Sequence, residues 1–296
     1  MKKTLGIIPA RMASSRFPGK PLEKIQDIPM LAHCYERAKI SGACDTLVIA
    51  TPDQEIIDWA DSYQIPSVLT SHDHQRATER AKETLDILSS GKNTFNFILL
   101  LQGDEPQIFP EDIVTLKEAF SGKECEVVNL VFPINGDDLE NSSVVKAVVD
   151  KNLKINFFSR SHIPNNSQSS LRQLGMIGFT NQALHSYASL LPTPLEECES
   201  IDMMRFLEND FWIQGVLSSS TILGVDNPED ISKAEQMMSD DRLIHLYKGK
   251  YIGLLAEVIR QNVVDNNISN YKSARRNILK HYCIINFFYK LCKNQY

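Results

Sequence analysis

Short apolar runs alternate with stretches of helical period along the first half of the chain. Segments 4–9, 46–50, 67–70, 95–101 and 127–132 are rich in aliphatic and β-branched residues and end in polar or turn residues, which predicts strands. Between them, 30–41, 54–63, 78–88 and 110–120 place apolar residues at helical spacing. Pro110, followed by Glu111 and Asp112, is a helix-start signal, since proline suits the first turn and acids favour the helix N-terminus. The resulting βαβαβαβαβ order predicts an α/β fold with a mainly parallel sheet covered by helices on both faces.

The pattern changes after that. Segments 144–149 and 155–158 read as strands joined by the turn Asp150-Lys151-Asn152, and 171–179 as a further strand after the polar loop 165–170. This part, about 133–192, is expected to be a β-rich insertion that caps a pocket or forms a dimer face. A helix over 196–208, a strand over 211–216 and a helix over 228–238 follow. The body is expected to end near 240. Residues 241–296 are expected to be a helical extension, with Leu254, Leu255, Val258 and Ile259 at helical spacing and an aromatic run, 282–289, between Lys280 and Lys290.

Composition narrows the class. With 296 residues, 43% apolar and 23% charged, the chain has the make-up of a globular protein with a large core. No apolar run approaches the ~18 residues of a membrane span, and the first apolar stretch meets Pro9 and Arg11 too soon for a signal peptide. The six cysteines, Cys34, Cys44, Cys125, Cys198, Cys283 and Cys292, show no metal-ligand spacing, so reduced thiols and a cytoplasmic location are expected. Residues 241–296 hold ten Lys/Arg and three Asp/Glu, a net of +7; against −6 for the whole chain, residues 1–240 carry −13. So acidic a body argues against nucleic acid as its partner. The basic tail is read either as a helix packed on the body or a dimer mate, or as a patch for a partner enzyme or an anionic membrane surface.

The candidate chemistry lies where the predicted strands end. The first strand runs into Ile7-Ile8-Pro9-Ala10-Arg11-Met12-Ala13-Ser14-Ser15-Arg16-Phe17-Pro18-Gly19-Lys20-Pro21. A strand end opening into a loop with Arg11, Arg16 and Lys20 suits a polyphosphate, because guanidinium forks grip its oxygens and lysine adds a mobile charge. The apolar run 95–101 ends in Gln102-Gly103-Asp104-Glu105-Pro106, and Gly224-Val225-Asp226-Asn227-Pro228-Glu229-Asp230 supplies a second acidic station. Asp104 and Asp226 facing a phosphate loop would suit Mg²⁺, which takes few protein carboxylates and completes its shell with phosphate and water. The plainer alternatives are that Asp104 caps the next turn and Asp226 caps the next helix.

These stretches, with HQRATER (74–80), FFSRSHIP (157–164), RQLGMIGF (172–179) and PLEECE (194–199), resemble the 3-deoxy-manno-octulosonate cytidylyltransferases in order and over about residues 4–238. The resemblance implies a Rossmann-like nucleotide-diphospho-sugar transferase fold and a homodimer. It also implies that CMP passes from CTP to the anomeric hydroxyl of a 2-keto-3-deoxy sugar acid for surface lipopolysaccharide. It places CTP against Ala10, Arg11, Arg16, Lys20, Thr78, Glu79 and Arg80, and Mg²⁺ on Asp104 and Asp226. Lys20, Asp104 and Asp226 would be the catalytic groups. The sugar would meet Gln102, Arg160, Gln173, Glu196 and Glu199. No histidine offers itself as an evident general base, and the metal would supply that activation.

Four departures stand out. Arg76-Ala77 replaces the usual Ser-Gly, Gln173 the usual His, Ile177 a usual Tyr, and Asp202-Met203-Met204 the usual Glu-Gln-Leu. Phosphate and metal motifs are intact, so the departures point to a different acceptor, such as an amino sugar acid or a nonulosonate, or to drift in an ordinary enzyme. Rival readings are an acylneuraminate- or spore-coat-type cytidylyltransferase and a weakly active homologue that binds or scaffolds. Arg76 would touch the nucleotide or point into solvent.

Overall fold

The computed structural model describes residues 2–14, 16–89, 94–121, 125–165, 167–220 and 223–252. The chain divides into two compact units, Met1–Asp241 and Arg242–Tyr296. The aromatic run 282–289 and the apolar positions 254–259 lie outside the described residues.

The first half follows the predicted alternation. Strand β1 (Thr4–Pro9) leads through a two-residue pair, β2 (Lys24–Ile25) and β3 (Ile28–Pro29), into helix α1 (Met30–Ile40). Then come β4 (Thr46–Thr51), α2 (Gln54–Ser62), β5 (Ser67–Leu69), α3 (Ala77–Ser89), β6 (Phe97–Leu100) and α4 (Pro110–Glu118). β1 pairs in parallel with both β4 and β6, and β4 in parallel with β5. Alternate residues of these strands are buried on opposite faces, as a sheet covered on both sides requires. Leu5, Ile7, Val48, Ala50, Ile98 and Leu100 form one core with Ala81 and Leu85 of α3. Ile8, Ile49 and Leu99, also fully buried, lie on the other face, where α1 packs against β1 and β4.

The second half is more interwoven than the sequence pattern suggests. Strand β7 (Val127–Asn135) is followed by β8 (Lys146–Val149), β9 (Ile155–Ser159) and a long β10 (Ser169–Thr180). β10 runs antiparallel between β6 and β7, so the stretch expected to be an insertion contributes a central strand of the main sheet. Only β8 and β9 stand off the main path, β8 pairing with the first part of β10. A register shift between Gln173 and Ile177 marks the change from the outer to the inner half of β10.

The helix α5 (Asn181–Ser189), capped by the Thr180 side chain on Ala183 N–H, has no counterpart in the sequence expectations. The single helix expected over 196–208 is two, α6 (Pro194–Glu199) and α7 (Met203–Leu207). Ser200 between them adopts a left-handed conformation with φ 54°, which ends α6. Strand β11 (Ile213–Leu217) adds to β7 in parallel at the sheet edge, and α8 (Pro228–Met237) completes the body. At the end of this unit the fully buried Arg37 ion-pairs with Asp241. The second unit holds α9 (Ile244–Tyr251).

Candidate active site

The loop after β1 is built by backbone contacts. Ala10 N–H extends the strand pairing to Ala50 O at 2.9 Å, and Met12 N–H donates to Asp53 Oδ2 at 2.7 Å. Gly19, at φ +78°, turns the chain back so that its N–H reaches Met12 O at 3.0 Å. A 3-10 turn, Lys20–Leu22, follows and aims the lysine inward. Lys20 Nζ donates to Asp104 Oδ2 at 2.7 Å and to Val225 O at 2.8 Å, and lies 3.8 Å from Asp226 Oδ1. Arg16 Nη2 donates to the same Asp226 oxygen at 3.1 Å. A Cβ on Gly103 would fall 2.8 Å from Pro9 O, so glycine there allows the ends of β6 and β1 to close together.

Both acidic stations therefore meet on the basic loop. Asp104 turns its carboxylate to Lys20, not to the following turn, and its carbonyl accepts from Val225 N–H at 2.9 Å. Asp226 is not the helix cap. Asn227 caps α8 in a reciprocal pair with Asp230, which also accepts from Asp226 N–H. That leaves the Asp226 side chain to Arg16 and Lys20.

A cavity of about 320 Å³ opens over this cluster, lined by Ala10, Arg11, Ser14, Arg16, Lys20, Arg80, Gln102, Asp104 and Asp226 among others. A second cavity of about 310 Å³ includes Thr78, Arg160, Arg172, Gln173, Ile177 and Asp202 in its lining. The two share Gln75, Arg76, Ala77 and Gln102 and so meet along one boundary.

The remaining expected residues divide. Arg80 lines the first cavity, its guanidinium braced by Thr70 Oγ1 and by Ser71 O. Thr78 lines the second cavity, with its hydroxyl on Asp202 at 3.0 Å. Glu79 lines neither; its Oε2 accepts from the N–H groups of Gln75 and Arg76 and closes the start of α3. Gln102 stands on the shared boundary. Arg160 lines the second cavity, but its guanidinium is given to the carbonyls of Glu199, Ser142 and Ser200 at 2.7, 3.1 and 3.4 Å. Gln173 Nε2 donates to Asn129 Oδ1 at 2.6 Å. Glu196 and Glu199 are structural in this arrangement. The buried Glu196 takes Arg205 through both oxygens, at 2.6 and 2.7 Å, and Glu199 accepts from Ser159 and from Arg160 N–H.

Some residues gain a role that the motifs did not give them. Arg76, expected at the nucleotide or in solvent, lies between the cavities. Its Nη1 donates to Ser200 Oγ at 3.1 Å, and its Nε is 3.6 Å from Glu196 and 3.7 Å from Asp202. Burial pushes the Asp202 carboxyl above its ordinary range, while Arg76 and the Thr78 hydroxyl pull the other way. Behind Gln102, burial and the Asp104 charge push Glu105 up to about 7, against the pull of the Gly175 N–H. The departures at 76 and 202 were a signal for the first pair. Nothing in the sequence separates Glu105 from its acidic neighbour.

Cations and acids gathered at the carboxyl ends of adjoining parallel strands define a phosphate-handling α/β protein. Residues 5–222 match the family model described as cytidylyltransferase. A 3-deoxy-manno-octulosonate cytidylyltransferase of Parabacteroides distasonis is 34% identical over 249 residues, 79% of this chain and 97% of the relative. An 8-amino-3,8-dideoxy-manno-octulosonate cytidylyltransferase of Shewanella frigidimarina is 37% identical over 249 residues, 81% of this chain and all of the relative. The solved structure of a CMP:2-keto-3-deoxy-manno-octonic acid synthetase complexed with CTP superposes with a TM-score of 0.76 at 30% identity, covering 81% of this chain and all of that one. The chain belongs to the cytidylyltransferase family.

Proposed function

We propose that the protein moves CMP from CTP to the anomeric hydroxyl of 3-deoxy-manno-octulosonate, releasing pyrophosphate. The acceptor oxygen bonds to the α-phosphorus, the bond to the β-phosphate oxygen breaks, and the acceptor hydroxyl gives up its proton. The observation that carries this reading is the convergence of Asp104 and Asp226 on Lys20 in the wall of the first cavity, which a second cavity adjoins. Arg11, Arg16 and Lys20 hold the triphosphate by charge and by forked hydrogen bonds. Arg80, fixed by Thr70 and Ser71, adds a cation that needs no rearrangement on binding. Transfers of this type gain mostly from such positioning and neutralisation.

Two carboxylates that already focus on one cation fit Mg²⁺, with phosphate oxygens and water as its other ligands. Bound by Asp104 and Asp226, the ion would neutralise phosphate charge and acidify the acceptor hydroxyl. We place the reaction in the cytoplasm, in lipopolysaccharide synthesis, by a homodimer. The extension 241–296 docks a partner enzyme or an anionic membrane surface, and co-sedimentation with anionic vesicles, with and without it, tests the membrane version.

The Shewanella relative supports a second acceptor, the 8-amino acid. The test is pyrophosphate release from CTP and Mg²⁺ with a panel of 2-keto sugar acids. Turnover with 3-deoxy-manno-octulosonate above all others is expected. Turnover only with another acid, or none with any, would overturn the reading.

A further inference from the structure

We propose that Arg76 is an acceptor-binding residue that sets acceptor specificity: its guanidinium takes the anionic group of the acceptor where the two cavities meet. The inference rests on the CTP and sugar-acid reading above and names a residue that reading does not use.

An arginine offers five N–H donors in a rigid fork matched to a carboxylate. Arg76 uses few of them. Its one hydrogen bond goes to Ser200, and its two ion pairs, at 3.6 and 3.7 Å, are too long to be hydrogen bonds. Its acidic neighbours already hold other donors. Both oxygens of Glu196 are held by Arg205, and Asp202 Oδ2 accepts from Thr78. Arg76 is thus a three-quarters buried cation with unspent donors, facing both cavities. Arg160, which the sequence pattern singles out for the sugar, has spent its fork on three carbonyls. Arg172 also lines the second cavity, and its buried Nε has no hydrogen-bond partner.

The anchoring decides which substrate Arg76 reads. Ser200 and Asp202 both line the second cavity, and Glu196 supports α6 behind it. None of the three lines the first cavity, which already has Arg11, Arg16, Lys20 and Arg80 for the triphosphate. In the second cavity the ionisable lining is Arg76, Arg160 and Arg172 against Asp202 alone. A cavity with that excess of positive charge attracts an acid and repels an ammonium substituent. Arg76 therefore favours a purely hydroxylated sugar acid over its 8-amino counterpart.

The test compares wild type, Arg76→Ser and Arg76→Lys, with CTP and both acids, by pyrophosphate release. Wild type is expected to prefer the hydroxylated acid. Arg76→Ser is expected to raise KM for that acid about 10–100-fold, the scale of a lost charge-assisted pair, with KM for CTP changed by less than about threefold. The preference between the two acids should shift towards the amino acid, and Arg76→Lys, keeping charge without the fork, should fall between. A raised KM for CTP with acceptor KM unchanged would overturn the proposal, and so would no change in either. If Arg76→Ser does not fold, Arg76→Lys decides by the same split of KM values. Failure of the underlying reading shows separately, as wild type that releases no pyrophosphate with either acid.

Discussion

The two cavities share a wall, yet they are assembled from different kinds of sequence. The first draws most of its charged groups from loops that directly follow β1 and β6 and precede α8, each a short continuous motif, with Arg80 added from α3. The second is held by pairings far apart in the chain: Arg160 with Glu199, Gln173 with Asn129, Thr78 with Asp202, Arg76 with Ser200. Strand ends and local turns supply the groups of the first cavity, whereas long-range hydrogen bonds and the buried Arg205–Glu196 pair hold the second, the proposed acceptor side. The acceptor side should therefore be the easier to unfold and the nucleotide side the easier to inactivate.

Arg205→Ala probes that difference with the largest expected effect. Arg205 holds the buried Glu196 through two hydrogen bonds and lies 4.3 Å from the Tyr187 ring. Its loss strands a buried carboxylate, which costs about 3–5 kcal/mol, read as a lower urea midpoint. A loss below about 1 kcal/mol, the scale of a surface pair, would break the comparison.

Asp104→Ala should do the reverse. Its side chain is about one-third exposed (35%) and bonded to Lys20, which keeps its hydrogen bond to Val225 O, so the fold should survive. Turnover should fall about 10²–10³-fold, the scale for one preorganised charged partner, with an unchanged circular dichroism spectrum. Retained turnover would reject both the metal assignment and the two-carboxylate site.

The same contrast explains what could be read in advance. Apart from the short β2–β3 pair, the strands and helices up to β7 are legible because alternation and helix-start signals are local, and the loop cations, Asp104 and Asp226 each stand in one short motif at a strand end or helix start. The acceptor side was less legible. The resemblance makes Glu196 a sugar ligand, but its bidentate partner Arg205 depends on the break at Ser200, which no glycine or proline in 196–208 marks. β10 looked like part of an insertion because a strand's partners are not written in its own residues. Arg76 was visible as a departure, but its place between the cavities depends on residues more than a hundred positions away.

A pH experiment sharpens the nucleotide side. His33, in α1 behind the Lys20 turn, is fully buried with Nε2 2.8 Å from Ile25 O. Burial brings it down from 6.5 to about 4, with the Arg37 charge adding to the effect and the Ile25 hydrogen bond and Asp241 opposing it. Between those values the unfolded chain binds the proton more readily than the fold does. Stability is therefore full above 6.5 and falls as pH drops towards 4, by up to about 3 kcal/mol. His33→Gln should flatten that slope in urea midpoints measured from pH 4.5 to 7. An unchanged slope would show that the imidazole does not carry it.

The smallest effect separates the two unusual residues on the acceptor side. Gln173 departs from the resembled family as Arg76 does, yet its amide is already committed to Asn129 Oδ1 in a buried network. Gln173→Ala leaves that oxygen without its donor, at a cost of about 1 kcal/mol in stability. Because the amide is turned to the protein, kcat/KM for the sugar acid should fall by less than about tenfold, and KM for CTP should not move. Gln173→His should behave alike. Arg76→Ser, by contrast, removes a cation whose donors are open to the cavity and should weaken the acceptor more. If Gln173→Ala proves the more damaging of the two to acceptor KM, recognition runs through the β10 network rather than through the boundary arginine, and the acceptor side is read by a strand after all.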